Sequence, residues 1–286
     1  MEERNERGET LEEFLARYDE TQYRRPSNTV DMILLTVFKG KLKVLLVKRK
    51  DHPFIHDWAM PGGFVNFDED LDAAMKRELE EETNLFDSTY FRQLYTFGNA
   101  DRDPRTRVIT TVYLSMTPAE NIKMTSAGDD AMDTGWFTIQ KITTTSDGYE
   151  RKSVLMLDEE EKGIHLRYEI YDTACDNYVQ TRSKLLDSSN AKLAADHIKA
   201  INMAIDVVRN RAASTGIMFN LLPKECTLRE IQEVYEAIVN HPVDTGNFRR
   251  DIKKMLVATA STTIVNGRKV ATYSFNPLLP FVKETL

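Results

Sequence analysis

The sequence predicts a mixed α/β domain followed by a winged helix-turn-helix, and three observations carry that prediction. Apolar, β-branched runs in the first half flank a helical stretch, giving the order strand, helix, strand. That helical stretch, Asp70 to about Thr83, carries an unusual density of carboxylates at helical spacing. Residues 220–286 read helix, turn, helix, hairpin, the order of a winged helix.

Leu11 to Tyr18 opens the chain as a short helix. YRRPSNTVDMILLTV and KLKVLLVKRK then form two strands joined at Lys39-Gly40-Lys41, a hairpin signal. WAMPGGFV leads into the acidic helix, where Leu71, Ala74, Met75 and Leu79 recur at helical spacing and Asp70 is placed to cap the first turn. LYTFGNADRDPRTRVITTVYLSM is two strands around a polar loop, and DTGWFTI is a further strand. Residues 141–190 suggest more β structure, with an exposed acidic turn from Glu159 to Lys162, and are expected to be a surface elaboration. From Lys192 to about Arg211, Ala194, Ile198, Ile201, Ile205 and Val208 mark one face of an amphipathic linking helix. His197 on that helix is expected to serve packing or capping, as lone helical histidines usually do.

In the C-terminal part, Thr227 caps a helix through Ile238 that buries Leu228, Ile231, Val234, Tyr235 and Ile238. The turn HPVDTG precedes the second helix, NFRRDIKKML, and Asn266-Gly267 joins the two strands STTIV and VATYSF of the hairpin. The expected division is therefore 1–190, a linking helix over 191–214, and 215–286. The second helix presents Arg249, Arg250, Lys253 and Lys254, with Asn247 near its start, and the hairpin carries Arg268 and Lys269. These residues suit neutralisation of DNA phosphates and insertion of the helix into a groove. A solvated basic face used for dimer contacts is the competing reading.

The acidic helix belongs to a longer pattern. Gly63 is followed after five residues by Glu69, after seven more by Arg77-Glu78-Leu79, and then by Glu81-Glu82. The spacing resembles the Nudix box, GX5EX7REUXEEXGU, of the MutT/Nudix superfamily of diphosphate-cleaving enzymes. Asn84 stands where the box has its final glycine, and Asn is the next best residue for a left-handed helix end. Glu78, Glu81 and Glu82 fall at i, i+3 and i+4 and share one helix face, where three like charges repel. A hard cation such as Mg²⁺, with Mn²⁺ as an alternative, would reverse that repulsion and bridge the carboxylates to phosphates. A solvated acidic face would account for Glu80, Glu81 and Glu82 but not for Gly63, Glu69, Arg77 and Glu78 at their offsets. Gly62 and Gly63 are expected to let the backbone approach a phosphate closely.

Beyond the box, RRPSNTVD, WAMPGGFV, LYTFGNADRDPRTR, AGDDA, LLPKECTLREIQEVYEAI and DTGNFRRDIKKML together resemble the NrtR-like regulators of NAD metabolism, in which a Nudix domain precedes a winged helix. The resemblance implies a Nudix α/β/α sandwich with a mixed sheet, a homodimer, ADP-ribose or a related metabolite as ligand, and an operator in double-stranded DNA. It implies Glu78, Glu81 and Glu82 as metal ligands, Arg77 as the residue that orients the glutamates, and Gly63 and Glu69 as parts of the same machinery. Arg102, Arg105 and Arg107 lie in a loop able to present planar donors to a diphosphate. Trp58 and Phe97 are either ring partners of the ligand or core residues. The general base stays open between Glu69 and an acid near Asp129 and Asp130. An intact box argues for hydrolysis over mere sensing, whereas Asp244-Thr245-Gly246, read as the turn before the second helix, lacks the basic residues such regulators often carry there.

Composition is consistent with this. At 286 residues with 41% hydrophobic content, the chain is long enough for two globular units. It carries no apolar run of membrane-spanning length and no signal-peptide core at its charged N-terminus, so a cytoplasmic protein without membrane contact is expected. Its two cysteines, Cys175 and Cys226, make neither a disulfide framework nor a metal motif. The net charge is −7, but from Thr215 onward nine basic residues face seven acidic ones, a surplus of +2 that leaves −9 for the first 214 residues. An acidic body with a mildly basic end suits one unit that handles a metal and a nucleotide and another that touches a polyanion.

Overall fold

A computed structural model describes residues 3–83, 90–124, 131–276 and 278. Asn84, Asp129 and Asp130 lie outside the described residues. Helix α1, Leu11–Arg17, is capped by a reciprocal pair of bonds between Thr10 and Glu13 and buries no residue. Strands β1 (Ser27–Phe38) and β2 (Lys41–Arg49) form the expected antiparallel pair, turning through Lys39 and Gly40 at positive φ. Short strands β3 (Trp58–Ala59) and β4 (Gly62–Phe64) add to β2 and β1, respectively. Helix α2 follows over Leu71–Thr83, and its first turn closes on Asp70, whose carbonyl accepts from the Ala74 amide at 2.9 Å.

Strands β5 (Tyr90–Phe97), β6 (Val108–Met116), β7 (Ala131–Ser146), β8 (Glu150–Glu159), β9 (Ile164–Cys175) and β10 (Tyr178–Leu185) complete one sheet. Its order is β10-β9-β8-β7-β2-β1-β6-β5, with β1 and β6 parallel and the other neighbours antiparallel. Side chains alternate across it, as the two-residue period of a strand requires. Val30, Met32 and Leu34 of β1 face α2 through Ala74, Met75 and Leu79. Ile33, Leu35 and Val37 face the opposite way, into a core shared with helix α3 (His197–Ala212) through Ile198, Ile201, Ile205 and Val208. Helix, mixed sheet and helix make the three layers of an α/β/α sandwich. No described helix is long and apolar enough to cross a membrane.

Residues 141–190 correct the expectation of a surface elaboration. Leu155, Leu157, Leu166 and Ile170 are fully buried in the main core, and β8 and β9 extend the central sheet beyond β7. Glu159 is buried, so the exposed acidic turn begins one residue later than expected, at Glu160. The linking helix also starts later. Ala194 and Ala195 precede it, Ala195 at φ +44°, and the helix opens at His197.

Helix α4 (Leu228–Val239) starts in a capping box between Thr227 and Glu230 and ends on Asn240 in the left-handed conformation. Helix α5 covers Thr245–Ile252. Asp244, Thr245 and Gly246 are thus not a turn before the helix: the Asp244 carboxylate caps it, accepting from the Asn247 amide at 2.8 Å, and Thr245 and Gly246 form its first turn. Lys253 and Lys254 fall in a following 3₁₀ turn rather than in the helix itself. Strands β11 (Leu256–Val265) and β12 (Arg268–Phe275) pair around Asn266 and Gly267, both at positive φ as a tight hairpin needs. Backbone bonds between Cys226 and Tyr273 tie the start of α4 to β12. Ile231, Val234, Ile238, Ile252 and Met255 continue the core that α3 shares with the sheet.

Candidate functional site

The site is organised by Arg77. From the middle of α2 its guanidinium donates to both oxygens of Glu69 (2.8 and 2.9 Å), to Glu78 Oε1 (2.7 Å), to Glu81 Oε2 (3.1 Å) and to the Phe64 carbonyl (3.1 Å). A planar fork with five donors can serve all of these at once, and a lysine could not. The two best-held carboxylates respond in opposite ways. The bond from Arg77 holds Glu69 down at about 2. Burial pushes the Glu78 carboxyl up, outweighing the pull of Arg77 on it.

Gly63 makes that burial possible. A Cβ built there would lie 2.2 Å from Glu78 Oε1, so the space a side chain would fill is taken by the carboxylate. A Cβ at Gly62 would lie 2.2 Å from the Val30 carbonyl. The two glycines therefore serve close packing of the protein against itself, where the sequence suggested close approach of a phosphate.

Glu78, Glu81, Glu82 and Arg77 line one side of an open cavity of about 530 Å³. Asp31 of β1 lies on its lining, its Oδ2 accepting from Thr110 Oγ1 at 2.5 Å. The loop between β5 and β6 contributes Arg102, Asp103 and Arg105. Arg102, 6% exposed at its side chain, is gripped by both oxygens of Asp196 at 2.9 and 3.3 Å. Arg105 pairs with Asp103 at 2.8 Å, which lowers the Asp103 pKa, and lies 5.6 Å over the Phe64 ring. The approach to α3 supplies Ala194, Ala195 and His197. The His197 ring is buried, which lowers its pKa, and its Nδ1 accepts from the Met60 amide at 2.9 Å. That is a packing and backbone-holding role.

Three candidate ligand contacts stand outside the cavity lining, and for Trp58 and Phe97 the core alternative is the one that fits. Trp58 is 1% exposed and packs edge-on against Phe137 in the core, and Phe97 is buried beside Tyr95. Neither lines the cavity, because both side chains point into the layer between the sheet and α3. Arg107 is exposed outside the cavity lining, and its carbonyl serves β1 by accepting from the Ser27 amide. Sequence reading missed Asp31, the end of β2 and the loop after it from Lys48 to Phe54, and Ala194, Ala195 and His197 as cavity residues, which only the fold brings together.

The donor set suits a hard divalent cation: carboxylate oxygens only, one of them on a buried glutamate whose charge a cation would compensate. As the side chains are placed, no three acidic, histidine or cysteine groups among the described residues are gathered closely enough to hold an ion, and Arg77 sits between Glu78 and Glu81.

In the C-terminal part, Asn247, Arg249, Arg250, Lys253 and Lys254 are exposed on α5 and the turn after it, and Arg268 and Lys269 are exposed on the hairpin. Asp251 sits among them, 3.4 Å from Arg250 and 3.8 Å from Lys254, and reduces the net charge of that face.

Residues 26–157 match the NUDIX domain model, and residues 218–275 match the NrtR DNA-binding winged helix domain. The chain is 28% identical over 261 residues to the ADPR responsive transcriptional repressor NtrR of Acinetobacter baylyi, covering 90% of this chain and 85% of that protein. It is 34% identical over 129 residues to the ADP-ribose pyrophosphatase of Methanocaldococcus jannaschii, covering 45% of this chain and 72% of that protein. In structure it is similar to Shewanella oneidensis NrtR complexed with a 27mer DNA, with a TM-score of 0.60 and 26% identity over 87% of this chain and 93% of that one.

Proposed function

The chain belongs to the Nudix family and ends in an NrtR-type winged helix, and from that premise we propose that it binds and hydrolyses ADP-ribose or a related nucleoside diphosphate derivative while regulating transcription from a double-stranded DNA operator. The observation that carries the hydrolytic half is the Arg77 web: the charged residues of the box are all present, and one guanidinium orders Glu69, Glu78 and Glu81 beside the cavity. The relative from Methanocaldococcus jannaschii is named for the same chemistry.

In the reaction, water adds to one phosphorus of the diphosphate and the bridging P–O bond breaks, giving AMP and ribose 5-phosphate from ADP-ribose. Glu78, Glu81 and Glu82 would hold Mg²⁺, or Mn²⁺ in its place, which when bound offsets diphosphate charge and makes a nearby water more acidic. Arg77 keeps the glutamates in register and does not touch the ligand. Arg105 faces the cavity as a planar donor, its direction set by Asp103 and the Phe64 ring. Arg102, held by Asp196, lends charge and shape to the same wall.

The regulatory half rests on the winged helix and on its exposed basic residues, and the repressor from Acinetobacter baylyi is named as responsive to ADP-ribose. We place the phosphate contacts on Asn247, Arg249, Arg250, Lys253, Lys254, Arg268 and Lys269, in a homodimer that reads two half-sites. Ligand switches such a protein only by binding its DNA-competent and DNA-incompetent states unequally. A sensor that also destroys its ligand resets itself.

Incubation with ADP-ribose and Mg²⁺, beside Glu82→Gln, tests the reading. AMP and ribose 5-phosphate from the unaltered chain alone support it. Bound but uncleaved ADP-ribose in both proteins would overturn the hydrolase half and leave a ligand-sensing regulator.

A further inference from the structure

With Trp58 and Phe97 in the core, the cavity still needs a surface for the planar base of a nucleotide. Its described lining contains two benzenoid rings, Phe54 and Phe64. The Phe64 ring already lies under the Arg105 guanidinium. Among the described residues, the Phe54 ring meets neither another aromatic ring nor a cation, and its side chain is only half-buried. It packs against the small cluster of Val47, Ala59 and Ala194, which with Ala195 forms an apolar corner of an otherwise charged cavity.

The backbone is arranged to present that ring. Phe54 sits at φ +63°, a conformation that aromatic residues seldom adopt and that persists only when the surroundings impose it. Here the Asp57 amide donates to the Phe54 carbonyl at 3.1 Å, and Arg49 Nε donates to the Pro53 carbonyl at 2.8 Å. Phe54 stands in a polar run, KRKDHPFIHD, where neither periodicity nor composition would single it out.

We propose that Phe54 is the platform on which the base of the nucleotide ligand stacks, so that this residue sets the preference for ligands that carry a base. The inference rests on the nucleotide reading above. The diphosphate goes to the carboxylate side of the cavity, where cation and arginines can meet its charge. The base goes to the apolar corner, where a π-face can be covered without leaving a charged group unpaired.

The test is calorimetric titration of the full chain with Mg²⁺, using Glu82→Gln as common background so that ligand is not consumed. The titrants are ADP-ribose and inorganic pyrophosphate, which has no base. Phe54→Leu keeps an apolar side chain against Val47, Ala59 and Ala194 but removes the aromatic face, and Phe54→Trp keeps an aromatic face. Base–aromatic stacking predicts that Phe54→Leu weakens ADP-ribose by about tenfold or more, leaves pyrophosphate within about twofold, and that Phe54→Trp binds ADP-ribose at least as tightly as Phe54 does. Undiminished ADP-ribose binding by Phe54→Leu would overturn the proposal, as would equal weakening of both ligands. If Phe54→Leu does not fold, the comparison passes to Phe54→Trp, and loss of ADP-ribose binding by a folded Trp variant overturns it. A parent that takes up pyrophosphate but no ADP-ribose would instead sink the nucleotide reading itself, and this inference with it.

Discussion

Replacing Gly63 with alanine probes the centre of the candidate site with one methyl group. The added Cβ would meet Glu78 Oε1 at 2.2 Å and Cδ at 2.5 Å, so the carboxylate must retreat by about 1.2 Å to regain the 3.4 Å of ordinary contact. A retreat of that size along the line of the 2.7 Å bond from Arg77 would take it beyond hydrogen-bonding range. Losing a bond between charged groups costs about 1.5–3 kcal/mol, and the lower half applies because Arg77 keeps 29% of its side chain in water. Gly→Ala at a compatible backbone returns about 0.4–1 kcal/mol by restricting the unfolded chain. The net expectation is a loss of about 0.5–2 kcal/mol, a drop of roughly 1–8 °C in melting temperature, together with loss of ADP-ribose turnover. The same substitution in a Glu78→Ala background meets no carboxylate, and there it becomes stabilising by about 0.5 kcal/mol. Thermal and urea unfolding of the four proteins reads this directly. An equal cost in both backgrounds would show that the clash with Glu78 is not what the glycine avoids.

Other consequences can be measured separately. Burial keeps His197 neutral in the folded chain, below its ordinary value of 6.5, while the unfolded chain takes up a proton near that value. Its contribution is therefore complete above about pH 6.5 and is lost as pH falls further, with a slope of up to about 1.4 kcal/mol per pH unit that should vanish in His197→Ala. Arg209 on α3 donates to the Ile238 carbonyl at 2.9 Å and to the Lys141 carbonyl at 3.3 Å, joining α4 to the sheet. Arg209→Met keeps the apolar stem but leaves both acceptors without this donor, and should cost about 1–3 kcal/mol in urea unfolding. A wild-type midpoint would refute that assignment. Arg249→Ala with Arg250→Ala should weaken operator and random DNA alike, and should flatten the salt dependence by about 1.8 in log–log slope if each arginine neutralises one phosphate. An unaltered slope would remove α5 from the interface.

Local signals and tertiary assembly differed in what the sequence could reveal. The box, the capped helices and the Asn266-Gly267 hairpin were legible because each is set by residues a few positions apart. The alternation of Leu155 with Leu157 and of Leu166, Tyr168 and Ile170 was also present, and it marks strands with one buried face. Charged neighbours in DEEEKG disguised it as surface. Trp58 and Phe97 flank polar loops in sequence, and only the sheet's facing shows that they point inward. Gly63 is legible as a member of the box, but its steric partner Glu78 is not, because Glu78 lies fifteen residues on and is brought back by α2. Phe54 gave no periodic signal, because its role depends on meeting Ala59 and Ala194 from other parts of the chain.

The central sheet also bears on how this protein comes apart. The NUDIX match stops at residue 157, inside β8, yet the sheet continues through β9 and β10. A fragment ending there would strip the partner strand from β8 and remove Leu166, Tyr168 and Ile170 from the core. It would also lose the Tyr168 hydroxyl, which accepts from the Leu193 amide at 2.7 Å and seats the approach to α3. The smallest piece that keeps the sheet covered on both faces runs from β1 to the end of α3. The matched module and the shortest piece that keeps both faces of the sheet covered therefore differ in length by some fifty-five residues, since α3 ends at Ala212.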